Sequence, residues 1–168
     1  ITNLHRDYGS LPFNDCQTHW AYSYIYYAYE NGLVSGVSAN QFSPDTKVTR
    51  SQIAVLLARL AGADFTKSYA HPFKDVDAGS WYEAAVGFLY QRGALKDSGD
   101  GMFNPDATIT REQMAALVDA VFPYSGTIWR PMNCNDRDKI STFALTAVDG
   151  LFNRNVFVGV ANGNFNPS

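Results

Sequence analysis

Apolar residues recur along this chain with a helical period and in duplicate. Ile53, Leu56, Leu57 and Leu60 stand at i, i+3, i+4 and i+7, and Met114, Leu117, Val118 and Val121 repeat that spacing 61 residues on. Such a stripe predicts a one-sided helix that must bury its apolar face. Each stripe is preceded by Thr-x-x-Gln, Thr49 to Gln52 and Thr110 to Gln113. At that spacing the Thr and Gln side chains satisfy each other's orphan backbone donors, a capping box that marks a helix start. Upstream of each lies a second helical segment, WAYSYIYYAYENG at 20–32 and WYEAAVGFLYQRG at 81–93. These predict helices beginning near Trp20 and Trp81, the latter opened by a Ser80–Glu83 capping box. Both end on a glycine, Gly32 or Gly93, where a left-handed C-cap favours that residue.

The two halves are copies. Phe13 matches Phe73, Asp15 matches Asp75, and Trp20, Gly32, Phe42, Pro44, Asp45, Thr49, Arg50 and Gln52 all recur 61 residues later. A weaker third copy places Asp138 where Asp15 stands, Phe143 in the Trp place and Asn155 in the glycine place. In it Gly159 answers to Gly36, and Phe165 and Pro167 answer to Phe42 and Pro44. The domain reading is a leader over 1–12, repeats over 13–60, 73–122 and a partial 133–168, and linkers over 61–72 and 123–132. Each repeat reads as helix, loop, helix, so the expected fold is all-α, with three helix pairs of which the last is incomplete. One pair cannot enclose a core, but several stacked pairs can. Ile53, Leu56, Met114 and Leu117 are expected to meet near the centre. By repeat logic a further Thr-Arg helix is expected beyond Ser168, or supplied from elsewhere.

Composition narrows the function. The chain has 168 residues, 46% hydrophobic and 17% charged, with a net charge of −3. That is globular rather than disordered and carries no basic footprint for nucleic acid. No apolar run reaches the 18 residues of a membrane span. The chain opens on Ile1 with no signal peptide, which reads as a fragment or mature segment. Cys16 and Cys134 fit no metal spacing and are expected as free thiols, with pairing left open. His5, His19 and His71 share no ligand spacing either. The KDSGDGMF segment lacks calcium-loop carboxylates, since Lys96 and Ala107 fall on the first and twelfth positions. No nucleophile elbow, zinc helix or phosphate loop is written. The expectation is a non-enzymatic chain with no metal and no cofactor.

The arginines of Thr-Arg need separate treatment, because no cap requires them. Arg50 and Arg111 fall at the first helical position, where free N–H groups and the macrodipole favour an anion. A guanidinium there can grip a carboxylate in bidentate fashion. The competing reading is an ion pair to Asp45 or Asp106. Trp20 and Trp81 can stack on a sugar ring or anchor a helix start. Five tyrosines between Tyr22 and Tyr29 cannot all face one core stripe, so some line a surface and some pack.

The string Phe-x-Asp, Trp, Gly, Phe-x-Pro-Asp, Thr-Arg-x-Gln, over nearly the whole chain from Phe13, closely resembles the S-layer homology module. The resemblance implies a pseudo-threefold assembly of helix-loop-helix repeats around a central helical bundle. It implies a cell-surface location and non-covalent anchoring of a surface protein to the bacterial cell wall. The implied ligand is an anionic secondary cell-wall polysaccharide, often pyruvylated, held in grooves between repeats. The implied contacts are Arg50, Arg111, Asp15, Asp75, Trp20 and Trp81, with the capping Thr49 and Thr110 beside them. Rival readings are a peptidoglycan-binding module and a packing module of a larger surface protein or enzyme. The chain departs from the family pattern at Ser51-Gln52 and Glu112-Gln113, and Glu112 is expected to compete for the Arg111 guanidinium. The third copy lacks both the Trp and the Thr-Arg helix.

Overall fold

A computed structural model describes residues 9–96, 99–123, 126 and 130–168. Residues 97 and 98 of the KDSGDGMF segment lie outside the described residues. Among the described residues five α-helices follow one another: α1 (Tyr22–Glu30), α2 (Arg50–Leu60), α3 (Glu83–Gln91), α4 (Arg111–Val121) and α5 (Leu145–Asn153). Short 3-10 turns cover Arg137–Lys139 and Ala161–Gly163. Among the described residues there is no strand, only isolated bridges at Ser38–Gln41 and Thr49–Thr108. The all-α expectation holds. The chain divides into two compact units, 1–47 and 48–168, so the boundary falls inside the first repeat rather than at a linker.

Helix ends follow the written signals with one exception. Gln52 N–H donates to Thr49 Oγ1 at 3.3 Å while Thr49 N–H donates to Gln52 Oε1 at 2.9 Å. Thr110 and Gln113 repeat the pair at 3.3 and 3.1 Å. Gly32, Gly93 and Asn155 take φ of +67°, +72° and +57°. Each follows a helix whose third-last carbonyl accepts from the next residue: Ala28 from Leu33, Leu89 from Ala94 and Leu151 from Val156. The same closure in all three copies is the Schellman arrangement. The exception is Ser80. Residues 80–82 form a turn, α3 starts at Glu83, and the Glu83 carboxylate accepts from Gly79 N–H at 2.6 Å. Ser80 Oγ is left buried without a partner, so no capping box forms there.

The first unit is built on Phe13. Phe13, Leu11, Cys16 and Ile25 are buried together, with Tyr22, Tyr26, Tyr29 and Phe42 packed against them. Tyr24 and Tyr27 stay exposed, which divides the tyrosine run between packing and surface as its period requires.

In the second unit α2 packs against α3 and α4 against α5, with a lighter contact between α2 and α4. The Thr-Arg helix of one repeat therefore rests on the Trp-side helix of the next. Ile53 and Leu117 are buried, and Leu56 and Met114 are half-buried against the same core, so the four meet as expected. Burial is shifted around α2, however. It covers Ile53, Ala54, Val55, Leu57 and Ala58, while Leu60 is left 47% exposed. In α3, Gly87 lies so close to the linker that a Cβ would run into the Tyr69 carbonyl oxygen. In α5 the equivalent contact is polar. Asp149 accepts from Met132 N–H at 2.8 Å and takes both arms of Arg137 at 2.7 and 2.8 Å.

One clamp recurs in all three copies. Asp15 accepts from Phe42 and Ser43 N–H at 2.9 and 2.7 Å. Asp75 accepts from Phe103 and Asn104 at 2.8 and 2.7 Å, and Asp136 from Phe165 and Asn166 at 2.7 and 2.8 Å. The second residue of each pair is left-handed, with φ of +61° at Ser43 and +57° at both Asn104 and Asn166. A carboxylate that accepts two consecutive amides offsets the cost of that backbone. The third clamp is Asp136, not Asp138, so Cys134 occupies the place of Phe13 and Phe73. Asp138 is exposed. Cys16 and Cys134 are both free.

These observations generate two predictions. Leu89 is fully buried, so Leu89→Ala should cost about 2–5 kcal/mol in chemical denaturation, whereas Leu60→Ala should stay within about 0.5 kcal/mol. Backbone N–H donors hold the Asp15 and Asp136 carboxyls below their usual range, Phe42 contributing most to the first and Phe165 to the second. Depressed folded values mean that this stabilisation is present above the ordinary carboxylate pKa and is lost as pH falls through the folded values. Thermal melts between about pH 6 and about pH 2 should show a steep acid loss of stability, and Asp136→Asn should lower the melting temperature and flatten that slope.

Candidate functional site

The Thr-Arg ends are occupied by backbone from the following repeat. Arg50 N–H donates to Ala107 O at 2.9 Å, and Ser51 N–H to Pro105 O at 3.0 Å. With Gln52 N–H given to Thr49, the first turn of α2 has spent the donors that an anion would use. Glu112 N–H likewise donates to Pro167 O at 3.0 Å. The Pro-containing loops held by the Asp75 and Asp136 clamps thus serve as backbone caps for the Thr-Arg helices α2 and α4. A loop carbonyl carries the partial negative charge that complements the macrodipole.

The arginine side chains lie along the same seam. Arg50 Nε donates to Phe103 O at 2.7 Å, and its guanidinium sits 5.0 Å from the Phe103 ring centre. Burial pushes its pKa down, and the nearby Asp75 charge works against that shift. Arg111 Nη2 donates to Val158 O at 2.8 Å, and its guanidinium lies 5.2 and 5.1 Å from the Phe157 and Phe165 rings. Its Nε is buried and unpartnered. Neither arginine pairs with Asp45 or Asp106, so the ion-pair reading fails. Asp45 instead accepts from His19 Nε2 at 3.2 Å. Glu112 does not compete for Arg111 either. Its carboxylate accepts from the N–H and Oγ of Ser141, both at 2.8 Å, because Ser141 opens the turn before α5 and has its own orphan donor to satisfy. Among the described residues, Nη1 and Nη2 of Arg50 make no hydrogen bond.

Trp81 and Phe143 are 60% and 61% exposed beside the starts of α3 and α5, and Trp20 is 81% exposed beside the start of α1. A core-anchor role for either tryptophan does not survive that exposure. Trp20 rests near His19 and Tyr24, with ring centres 5.4 and 6.5 Å away, and Trp81 near Tyr82 at 5.3 Å. Asp15 and Asp75 have their carboxylates in the clamps, and Thr49 and Thr110 in the caps. Among the candidate residues, Arg50 and Asp75 come close to each other.

Two open clefts of like position flank the clamped loops. One, of about 390 Å³, is lined by Asp75, Asp77, Tyr82, Asn104, Pro105 and Asp106. The other, of about 340 Å³, is lined by Glu112, Asp136, Lys139, Asn164, Asn166 and Pro167. The first is strongly acidic and the second carries one lysine. Sequence reasoning passed over Tyr82, Asn104 and Lys139. Asn104 and Asn166 had a visible signal, since each follows the motif Phe and precedes the motif Pro. Lys139 had none, because it depends on the 3-10 turn that the Asp136 clamp starts.

Comparison with known proteins accords with this geometry. An endoglucanase of Bacillus sp. (strain KSM-635) is 35% identical over 95% of this chain, and the exoglucanase XynX of Acetivibrio thermocellus is 26% identical over 94%. The S-layer protein sap of Bacillus anthracis is 31% identical over 60% of the chain. The chain spans only 17%, 15% and 12% of the lengths of these relatives. The family described as the S-layer homology domain matches residues 12–54 and 72–115, the two copies in which the clamp, the left-handed glycine and the Thr-Arg cap are all present. The chain belongs to the S-layer homology domain family.

Proposed function

We propose that this chain anchors a surface protein to the cell wall by binding an anionic wall polysaccharide, pyruvylated or otherwise acidic, without catalysing a reaction. The family assignment and relatives named as an S-layer protein and a cell surface glycoprotein point to the cell surface. Relatives named as enzymes share only a small part of their length with it, which fits an attachment module carried beside separate catalytic parts. Among the described residues no helix is long and apolar enough to cross a membrane.

The observation that carries the reading is the state of Arg50. Its Nε is pinned to Phe103 O and its plane rests on an aromatic ring, so the guanidinium is held in place while Nη1 and Nη2 carry no hydrogen bond. A fork held that way can meet a carboxylate with little further ordering. Exposed Trp20 and Trp81 offer aromatic faces to a sugar ring. Arg111, Asp75, Thr49 and Thr110 then act mainly by shaping the seam beside Arg50, and Asp15 by holding the Phe42–Ser43 loop of its own unit.

One observation favours a second reading. The cleft beside Asp75 is lined by three carboxylates, an unfavourable wall for a polyanion. Uncharged stretches of peptidoglycan glycan avoid that repulsion.

Purified wall sacculi with and without the secondary polymer, and the isolated polymer, separate the two in pull-down and calorimetric titration. The anionic-polymer reading expects binding to need the polymer and to weaken with salt. Equal retention on polymer-free sacculi would favour peptidoglycan. Arg50→Ala should weaken polymer binding about tenfold to a hundredfold, the worth of a charge-assisted contact. It should also lower the melting temperature, because it removes the bond to Phe103. Arg50→Lys separates the two effects: at a temperature where its circular dichroism matches the parent chain, it should still bind about tenfold more weakly. Parent-like binding by Arg50→Lys would leave Arg50 a purely structural strut.

A further inference from the structure

The start of α1 depends on an imidazole. Ala21 stands at the N-cap, where its methyl side chain cannot accept a hydrogen bond, and its own N–H donates to His19 Nδ1 at 3.2 Å. A ring nitrogen that accepts carries no proton. The ring proton of neutral His19 therefore lies on Nε2, which donates to Asp45 Oδ1 at 3.2 Å. The imidazole thus ties the helix start to the loop at 42–47 that Asp15 clamps, and its side chain is only 15% exposed there. Trp20 lies between His19 and Ala21 in the chain, and its ring centre is 5.4 Å from the imidazole. The other copies lack this arrangement. Ser80 holds the place of His19 in the second and Thr142 in the third, and neither hydroxyl titrates near neutral pH.

The two contacts of the ring respond to a proton in opposite ways. A proton added to Nδ1 turns the acceptor into a donor that faces the Ala21 N–H, so that bond must break. The positive end of the α1 macrodipole also opposes a cation at this place. The Nε2–H donor keeps both its proton and its carboxylate. Asp45 is largely in water, so the ion pair formed there adds little. The other charged and acidic groups on the segments around the ring are engaged or remote. Asp15 is held by the Phe42 and Ser43 amides, the Cys16 thiol is buried, Lys47 closes the loop, and Glu30 lies at the far end of α1.

We propose that His19 is a proton-operated latch on Trp20. In its neutral form it caps α1 and holds the turn that carries the indole. In its protonated form it releases the Ala21 amide and frees that turn, while Asp45 keeps hold of the ring. The consequence for a glycan rests on the reading of Trp20 as a sugar contact, but the latch itself requires no ligand.

The test is ligand-free NMR of the isotope-labelled 168-residue chain between about pH 8 and about pH 5, the span over which histidine exchanges its proton. At the upper end the His19 ring should be protonated on Nε2. On acidification the Ala21 amide proton should move upfield and exchange with water at least several-fold faster. The Trp20 indole N–H should shift along the same curve as the His19 ring nitrogens, with the Trp81 indole unmoved as an internal reference. His19→Asn keeps an acceptor oxygen near the Nδ1 position with no proton to gain, so α1 should stay formed and both responses should vanish. A proton on Nδ1 at the upper end would overturn the proposal, as would a silent Ala21 amide or Trp20 indole. So would a response that survives His19→Asn, which would assign it to another group such as His71 or Asp45. Should His19→Asn lose α1 by circular dichroism, the parent chain decides: Ala21 and His19 signals that follow different curves overturn the latch. No polymer is present, so a failed latch and a failed polymer reading are seen separately.

Discussion

The second unit is held together by the seating of a helix N-terminus on the carbonyls of a loop from the next repeat. Neither part stands alone. The loop keeps a left-handed residue in place only because an aspartate takes its two amides, and the helix start leaves donors that only the loop satisfies. With α2 docked on the Phe103–Ala107 loop, its apolar face has no choice but α3, and the same holds for α4 and α5. The core is a consequence of that order, since Ile53, Leu57, Val86 and Leu89 are brought together by elements from different repeats.

This linkage also changes how the arginines are understood. A helix N-terminus with an arginine at its first position is electrostatically suited to an anion, and by elementary physics it would hold one. Here the backbone donors are satisfied by carbonyls, and part of each guanidinium is committed to a carbonyl and to aromatic rings. What remains for a ligand is the outer edge of Arg50. In the proposed reading, recognition and stability share one side chain, and changing it disturbs both. The Asp75 carboxylate, whose charge is felt at Arg50, also lines an acidic cleft, and its negative charge disfavours an anion nearby.

The third repeat reaches a similar geometry with different residues. Cys134 replaces a core Phe, Phe143 replaces Trp, Asn155 replaces Gly, and Asp149 with Arg137 grips a linker where Gly87 does so by close approach. The clamp and the left-handed positions persist while the side chains around them change. Those are the features that backbone hydrogen bonding demands, whereas a hydrophobic contact can be made by several residue types.

The sequence by itself determined the helices, their Thr-x-x-Gln caps, the left-handed endings at Gly32, Gly93 and Asn155, and the threefold repetition. These are local matters, settled by period and by side chains reaching a few residues along the chain. It could not reveal that α2 belongs with α3, that Leu60 faces out, that Glu112 holds Ser141, or that Asp136 rather than Asp138 is the third clamp. Each of those turns on a partner some 29 or more residues away, or, for Leu60, on which side of the helix meets a neighbour. The candidate site divides in the same way. Arg50 and Trp81 were visible as residues with no local duty, but how much of Arg50 is left for a ligand was decided only when Phe103 and Asp75 arrived beside it, because a guanidinium's freedom depends on its packing neighbours and not on its place in the motif.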